Sequence, residues 1–93
     1  MVVGTLRLTF IIREARSLKD KRRVLNSIKD RLRSQFNASV SEVARHNSHR
    51  SAVLGVAVVA NEVQAVQQVL EQIERVVRLH PLAELTIAER EIL

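Results

Sequence analysis

Residues 52–60 read Ala52-Val53-Leu54-Gly55-Val56-Ala57-Val58-Val59-Ala60. Successive side chains of a strand point to opposite faces, and both sets are apolar here, which is the pattern of a strand in the middle of a sheet. His46-Asn47-Ser48-His49-Arg50 precedes it as a polar hairpin connection, and Ala38, Val40 and Val43 before that mark a weaker, more polar strand. The apolar parity changes between Val40 and Val43, so a bulge is expected near Glu42. Upstream, Leu18, Val24, Leu25, Ile28, Leu32 and Phe36 recur at helical spacing and predict an amphipathic helix over 18–35. Ser17 is its expected N-cap, Asp20 completes a weak capping box, and Asn37 ends it. Residues 2–12 alternate, with Leu6, Leu8, Phe10 and Ile12 on one face and Thr5, Arg7 and Thr9 on the other, as in a strand with one buried face. Downstream, Asn61 is expected to cap a second helix whose face carries Val63, Val66, Val69, Leu70, Ile73, Val76 and Val77. Arg75, Arg78 and His80 suit the negative pole of that helix, Pro81 terminates it, and Leu85 with Ile87 begins a final, charge-rich strand.

The order βαββαβ predicts one α+β domain over residues 1–93, a ferredoxin-like sandwich with a four-stranded antiparallel sheet and both helices on one face. Right-handed crossovers place the first and third strands side by side in the middle. Strands two and four, which carry the polar residues, become the edges. A chain of 93 residues suits a single core, and an apolar share of 46% excludes disorder and collagen-like repetition. Arg7, Arg13 and Glu14 interrupt the N-terminal apolar run well short of the roughly 18 residues of a membrane span. The start has neither a basic n-region nor a small-residue cleavage site, so no secretory signal is expected. The chain has no cysteine, which excludes disulfides and thiolate metal sites. A cytoplasmic protein with no membrane association is the expectation.

Ferredoxin-like domains serve unrelated purposes, so function has to come from particular residues. A heavy-metal-binding version needs Cys-x-x-Cys after the first strand. An acylphosphatase-like version needs a glycine-rich phosphate cradle with an embedded arginine there, and an amino-acid-sensing version commonly has a glycine turn. The loop Arg13-Glu14-Ala15-Arg16-Ser17 has none of these. His46 and His49 stand three apart without a third ligand and read as solvated loop residues rather than a metal site. Glu89 and Glu91 share a strand face and read as solvation of an exposed edge. No catalytic residue, metal, cofactor or small-molecule substrate is expected, and the chain is not expected to be an enzyme.

Charge carries the functional signal. Residues 1–60 hold 12 basic and 4 acidic side chains, whereas residues 61–93 hold 3 and 6. Nine of the 15 basic residues lie between Arg13 and Arg33. Counted from Leu25 at about 100° per residue, Lys29, Arg22, Arg33, Lys19 and Arg23 fall within roughly 40° to 160° of arc. They form a one-sided basic stripe beside the apolar face, while Lys21 and Arg31 are expected to snorkel along the core margin. Arg13 and Arg16, on the loop feeding the helix, would complete a cluster at its N-terminus, where free N–H groups attract anions. Such a patch predicts a polyanionic partner, RNA or a ribosomal subunit being foremost and an acidic protein surface the alternative. An enzyme acting on a phosphorylated small molecule through Arg13, Arg16 and Ser17 is the third reading, and it lacks a poised titratable group. The outward positions of the central strands carry no aromatic, so base stacking of the RNA-recognition-motif kind is not expected.

Several segments resemble the YlxP-like family of small bacterial proteins. They are Met1-Val2-Val3-Gly4, Ala15-Arg16-Ser17-Leu18-Lys19-Asp20-Lys21-Arg22-Arg23-Val24-Leu25, Phe36-Asn37-Ala38-Ser39-Val40-Ser41-Glu42-Val43 and Leu54-Gly55-Val56-Ala57-Val58-Val59-Ala60-Asn61. The resemblance covers nearly the whole chain, and Ser-Leu-Lys-x-Lys-Arg is its most specific part. It implies a ferredoxin-like fold. It also implies a role in ribosome assembly or translation, because genes of that family often adjoin those of a transcription elongation factor, a translation initiation factor and ribosome-binding factor A. Members commonly carry an Asp-Leu-Trp-Gln-Arg-like segment where this chain has His46-Asn47-Ser48-His49-Arg50, so only the final arginine matches. Finally, the sheet face opposite the helices presents Val53, Gly55, Ala57 and Val59, which predicts a homodimer through that face or an adjoining edge, with Val53 and Val59 in the interface.

Overall fold

The computed structural model describes all residues from Met1 to Leu93. Its elements are β1 (Val2–Ile11), α1 (Leu18–Gln35), β2 (Ser39–Ala44), β3 (Ser51–Ala60), α2 (Val63–Arg78) and β4 (Glu84–Ile92). Every strand pairing is antiparallel, and the order across the sheet is β2-β3-β1-β4. The two most apolar strands therefore lie centrally and the polar ones at the edges, as the chain order dictates. Leu6, Leu8 and Phe10 of β1, with Ala52, Leu54, Val56 and Val58 of β3, form the floor of the core. Val24, Leu25, Ile28 and Leu32 of α1 and Val66, Leu70, Ile73 and Val77 of α2 close it from above.

Each face of the sheet has one glycine at a close approach. Gly4 faces α2, and a Cβ built there would lie 2.2 Å from a Val66 methyl and 3.0 Å from Leu70. Only the absence of a side chain lets α2 approach β1 at this point. On the opposite sheet face, a Cβ at Gly55 would meet Val43 at 2.8 Å. Val43 is the extra residue of the expected bulge, since the β2–β3 register shifts between Glu42 and Ala44.

The bulge corrects one expectation. Val53 has outward parity, yet it is only 2% exposed, and Thr9 beside it is 5% exposed. Ala44 lies opposite Val53 across the bulge and Ile87 lies opposite Thr9, so both edge strands flank this end of the outer face. Val53 offers no interface, whereas Val59 is 61% exposed.

The helix starts differ. Ser17 caps α1 as expected, its Oγ accepting from the Asp20 N–H at 3.1 Å, while the Asp20 carboxylate accepts from the Arg16 N–H at 3.0 Å. At α2 the N-cap is Glu62 rather than Asn61, and no side chain caps the turn. Past the α2 end, His80 is a neutral acceptor rather than a cation at the helix pole. Its Nδ1 accepts from the Leu82 N–H at 3.2 Å, and its Nε2 lies 3.4 Å from the Ser27 Oγ of α1. Burial, and secondarily the charge of Arg31, holds its pKa below the ordinary 6.5. No helix is long and apolar enough to cross a membrane.

Candidate polyanion-binding face

The outward side of α1 is set by what the inward side must bury. With Val24, Leu25, Ile28 and Leu32 fixed on the sheet, Lys19, Arg22, Arg23 and Arg33 are exposed and Lys29 is half-buried. The stripe runs from Lys19 to Arg33, about 21 Å along the axis at roughly 1.5 Å per residue. None of these five cations has a carboxylate within 4.0 Å, whereas Arg7, Arg13, Arg78 and Arg90 all do. Arg33 alone is tethered, one Nη2–H donating to the Val40 carbonyl at 2.8 Å.

The N-terminal cluster expected around α1 is only partly assembled. Arg16 remains exposed at the loop. Arg13 turns to β4, where its guanidinium meets Glu84 at 2.7 Å. The Asp20 carboxylate sits at the same helix end, so the capping box already holds an anion where a phosphate was expected. The structure therefore keeps Lys19, Arg22, Arg23, Lys29 and Arg33 together and draws Arg13 away.

Lys21 belongs to another site altogether. It does not snorkel: the residue is 1% exposed, and its Nζ donates to the Arg45 carbonyl at 2.8 Å and the Ser48 carbonyl at 2.6 Å. The Glu42 Oε2 lies 2.8 Å from the same Nζ. That oxygen receives no well-aligned hydrogen bond, so the contact is an oblique ion pair. Lys21 thus pins α1 to the hairpin between β2 and β3, where Arg45 holds a left-handed φ of 61°. A signal for this was present in the sequence. Glu42 shares the core parity of Val40, and a buried carboxylate at that position requires a cation from the facing helix.

The hairpin residues mostly serve the structure. The Arg50 Nε donates to the Ala15 carbonyl at 3.3 Å, and Arg45 reaches the Ser51 Oγ at 2.6 Å. His46 Nε2 donates to the Glu42 carbonyl at 3.2 Å. Glu89 and Glu91 do share the outer face, where Glu89 pairs loosely with Arg7 at 3.9 Å. The other exposed apolar side chains of that face are Val43 and Ile87. On β3 the small Gly55 and Ala57 lie between Val43 and Val59, flanked by Thr5, Arg7 and the serines of β2.

Comparison with known proteins adds family but no activity. Residues 3–90 match a family described as a protein of unknown function, DUF503. The uncharacterized protein YlxP of Bacillus subtilis is 30% identical over 90 residues, covering 97% of this chain and 98% of its own. Among solved structures, the de novo designed protein Foldit4 superposes with a TM-score of 0.56 at 14% identity, covering 100% of this chain and 97% of its own. The de novo designed protein LFR1 1, described as having a ferredoxin fold, gives 0.46 at 18% identity, over 99% of this chain and 85% of its own. The matches of sequence run from one end of the domain to the other, and the chain belongs to the DUF503 family.

Proposed function

We propose that this protein is a non-catalytic, cytoplasmic RNA- or ribosome-associated factor that acts in ribosome assembly or translation by laying the outward face of α1 on phosphates. The observation that carries the reading is the row Lys19, Arg22, Arg23, Lys29 and Arg33, exposed or half-exposed and free of carboxylate partners. A cation in the first turn of a helix costs on the order of 0.3–1 kcal/mol, so the presence of Lys19 there favours a use outside the fold. Phe10 lies in the core and Phe36 is half-buried, and the chain has no Trp or Tyr, which favours contact with backbone and shape over base stacking.

Co-sedimentation with ribosomal subunits and with free RNA at graded salt tests the reading. Association that weakens steeply with salt is expected. Absence from every particle and from free RNA at low salt would overturn it. A pull-down that survives nuclease and retains an acidic protein would replace the RNA with a protein partner. Self-association through the outer sheet face is a separate proposal that now rests on Val59. Sedimentation equilibrium, with Val59→Lys expected to give monomer, checks it.

A further inference from the structure

The sheet is incomplete at one corner, and main-chain geometry shows what the gap offers. β3 has ten residues but β2 only six, so the β2–β3 ladder begins with Ser39 opposite Ala57. Beyond Ala57, β3 has no hydrogen-bonded neighbour on that side. In an antiparallel strand each residue directs its N–H and C=O to the same side, and the side alternates. The Val3 carbonyl accepts from the Leu93 N–H at 2.8 Å, so Val3 directs its groups away from β3. Val3 pairs with Val59, which makes this a non-hydrogen-bonded pair. The Val59 N–H and C=O therefore point to the open corner. The alternation is confirmed further along β1, where the Thr9 carbonyl serves β4 through Thr86 and the Ile12 N–H reaches back to Arg50. No strand, turn or side chain supplies a partner to the two Val59 groups.

The corner is a cleft of about 550 Å³. Arg33, Asn37, Ala38, Ser39, Ala57 and Val59 line it. Arg33 commits one N–H to Val40 and keeps its other guanidinium donors for the cleft. The rest of this edge is guarded, since the outward carbonyls of β2 at Val40 and Glu42 are occupied by Arg33 and His46. The cleft at Val59 is thus the one opening on this side where a donor and an acceptor stand in ladder orientation beside an available cation.

We infer that this corner binds an extended peptide carrying a carboxylate, which adds main-chain hydrogen bonds to Val59 and places the carboxylate on Arg33. The peptide completes the strand that β2 leaves short, by the strand-addition mode used at open sheet edges. Its carboxylate takes a charge-assisted, two-pronged contact from the guanidinium. The small side chains of Ala38 and Ala57 leave room for a backbone. The inference shares Arg33 with the phosphate row but does not depend on the RNA reading, because it rests on the unpaired main-chain groups of Val59, and Lys19, Arg22, Arg23 and Lys29 lie outside the cleft.

The probe is an alternating Thr-Val peptide with a free C-terminus, followed by amide spectroscopy of the intact chain. An amidated peptide with an internal Glu distinguishes a terminal from a side-chain carboxylate. At up to about 1 mM peptide, a regime of weak but measurable affinity, the Val59 amide is expected to shift and to exchange more slowly with solvent. A peptide N-methylated at the pairing position and the variant Arg33→Gln are each expected to lower affinity about tenfold or more, a change of about 1.4 kcal/mol. N-methylation alters only the probe, so this arm holds even if Arg33→Gln folds poorly. An unperturbed Val59 amide, or equal binding of the N-methylated peptide, overturns the inference. Protection of Val59 by an RNA hairpin but by neither peptide also overturns it, and assigns the cleft to nucleic acid.

Discussion

The two helices occupy the same face of one sheet and bury matching stripes, yet their outward sides differ completely. α1 carries seven basic and two acidic residues, α2 two of each. On α2 the acids Glu71 and Glu74 are taken up by Arg78 and Arg90 at 3.6–3.9 Å. On α1 the sole cation with a carboxylate partner is Lys21, and it is inside the protein. A helix can thus cover half of this sheet with a balanced exterior. Apart from Lys21, which is buried, and Arg33, which holds the Val40 carbonyl, no hydrogen bond or ion pair of the fold uses the excess on α1. Inward positions answer to the sheet, and outward ones answer to whatever meets the surface.

The comparison can be broken first at Lys21, where a structural cation is claimed among functional ones. Lys21→Met leaves the Glu42 carboxylate and two carbonyls without their shared donor, and denaturant unfolding should show a loss of about 3–5 kcal/mol. Adding Glu42→Leu should recover most of it. A small loss for Lys21→Met would mean that it is no different from its neighbours.

Gly4 tests how α2 is seated. Gly4→Ala forces a methyl against Val66, whose branched side chain is stiff in a helix, and should cost about 1–3 kcal/mol. Val66→Ala in the same chain should relieve it. Gly55→Ala meets only the half-exposed Val43, which can turn toward solvent, and should cost clearly less. Equal losses at both glycines would contradict the tight seating of α2.

The helix starts give a smaller contrast. Ser17→Ala removes the Asp20 cap and should lower stability by about 1 kcal/mol. Glu62→Ala removes no cap bond at α2 and should change the melting temperature far less. The smallest effect belongs to His80, which bridges the helices in its neutral form. Its pKa lies below 6.5 in the folded state, so the unfolded chain binds the proton more readily. Stability should fall as pH drops below about 6.5 and level off once the lower folded value is passed. Melting curves of His80→Gln should lack that part of the pH dependence while keeping the part due to carboxylates.

Local periodicity made most of the fold legible. The bounds of α1, the bulge beside Glu42 and the polar hairpin all follow from spacing along a few residues. The misreadings have a common cause, which is contact between residues distant in the chain. Val53 reads as outward and apolar, but it is buried beside the β2 bulge. Arg13 reads as part of the basic cluster, but Glu84 lies 71 residues away in sequence and 2.7 Å away in space. Lys21 reads as a margin residue until the parity of Glu42 is set beside it. At the α2 start, Asn61 has the better capping side chain, but the chain enters the helix one residue later, at Glu62. Of the stripe itself, the helical angles gave the grouping, and only the three-dimensional structure shows which cations lack acidic partners.

The most direct measurement is the salt dependence of binding to one RNA hairpin for two triple variants that lose equal charge. Lys19→Gln/Arg22→Gln/Arg23→Gln empties the start of the α1 stripe, while Arg75→Gln/Arg78→Gln/Arg90→Gln removes three cations from α2 and β4. If α1 rests on phosphates, the slope of log affinity against log salt should shrink by roughly 2–3 for the first variant. It should stay near wild type for the second. Equal shrinkage in both would reduce the stripe to net charge, and an unchanged slope in the first would remove α1 from the phosphate contact.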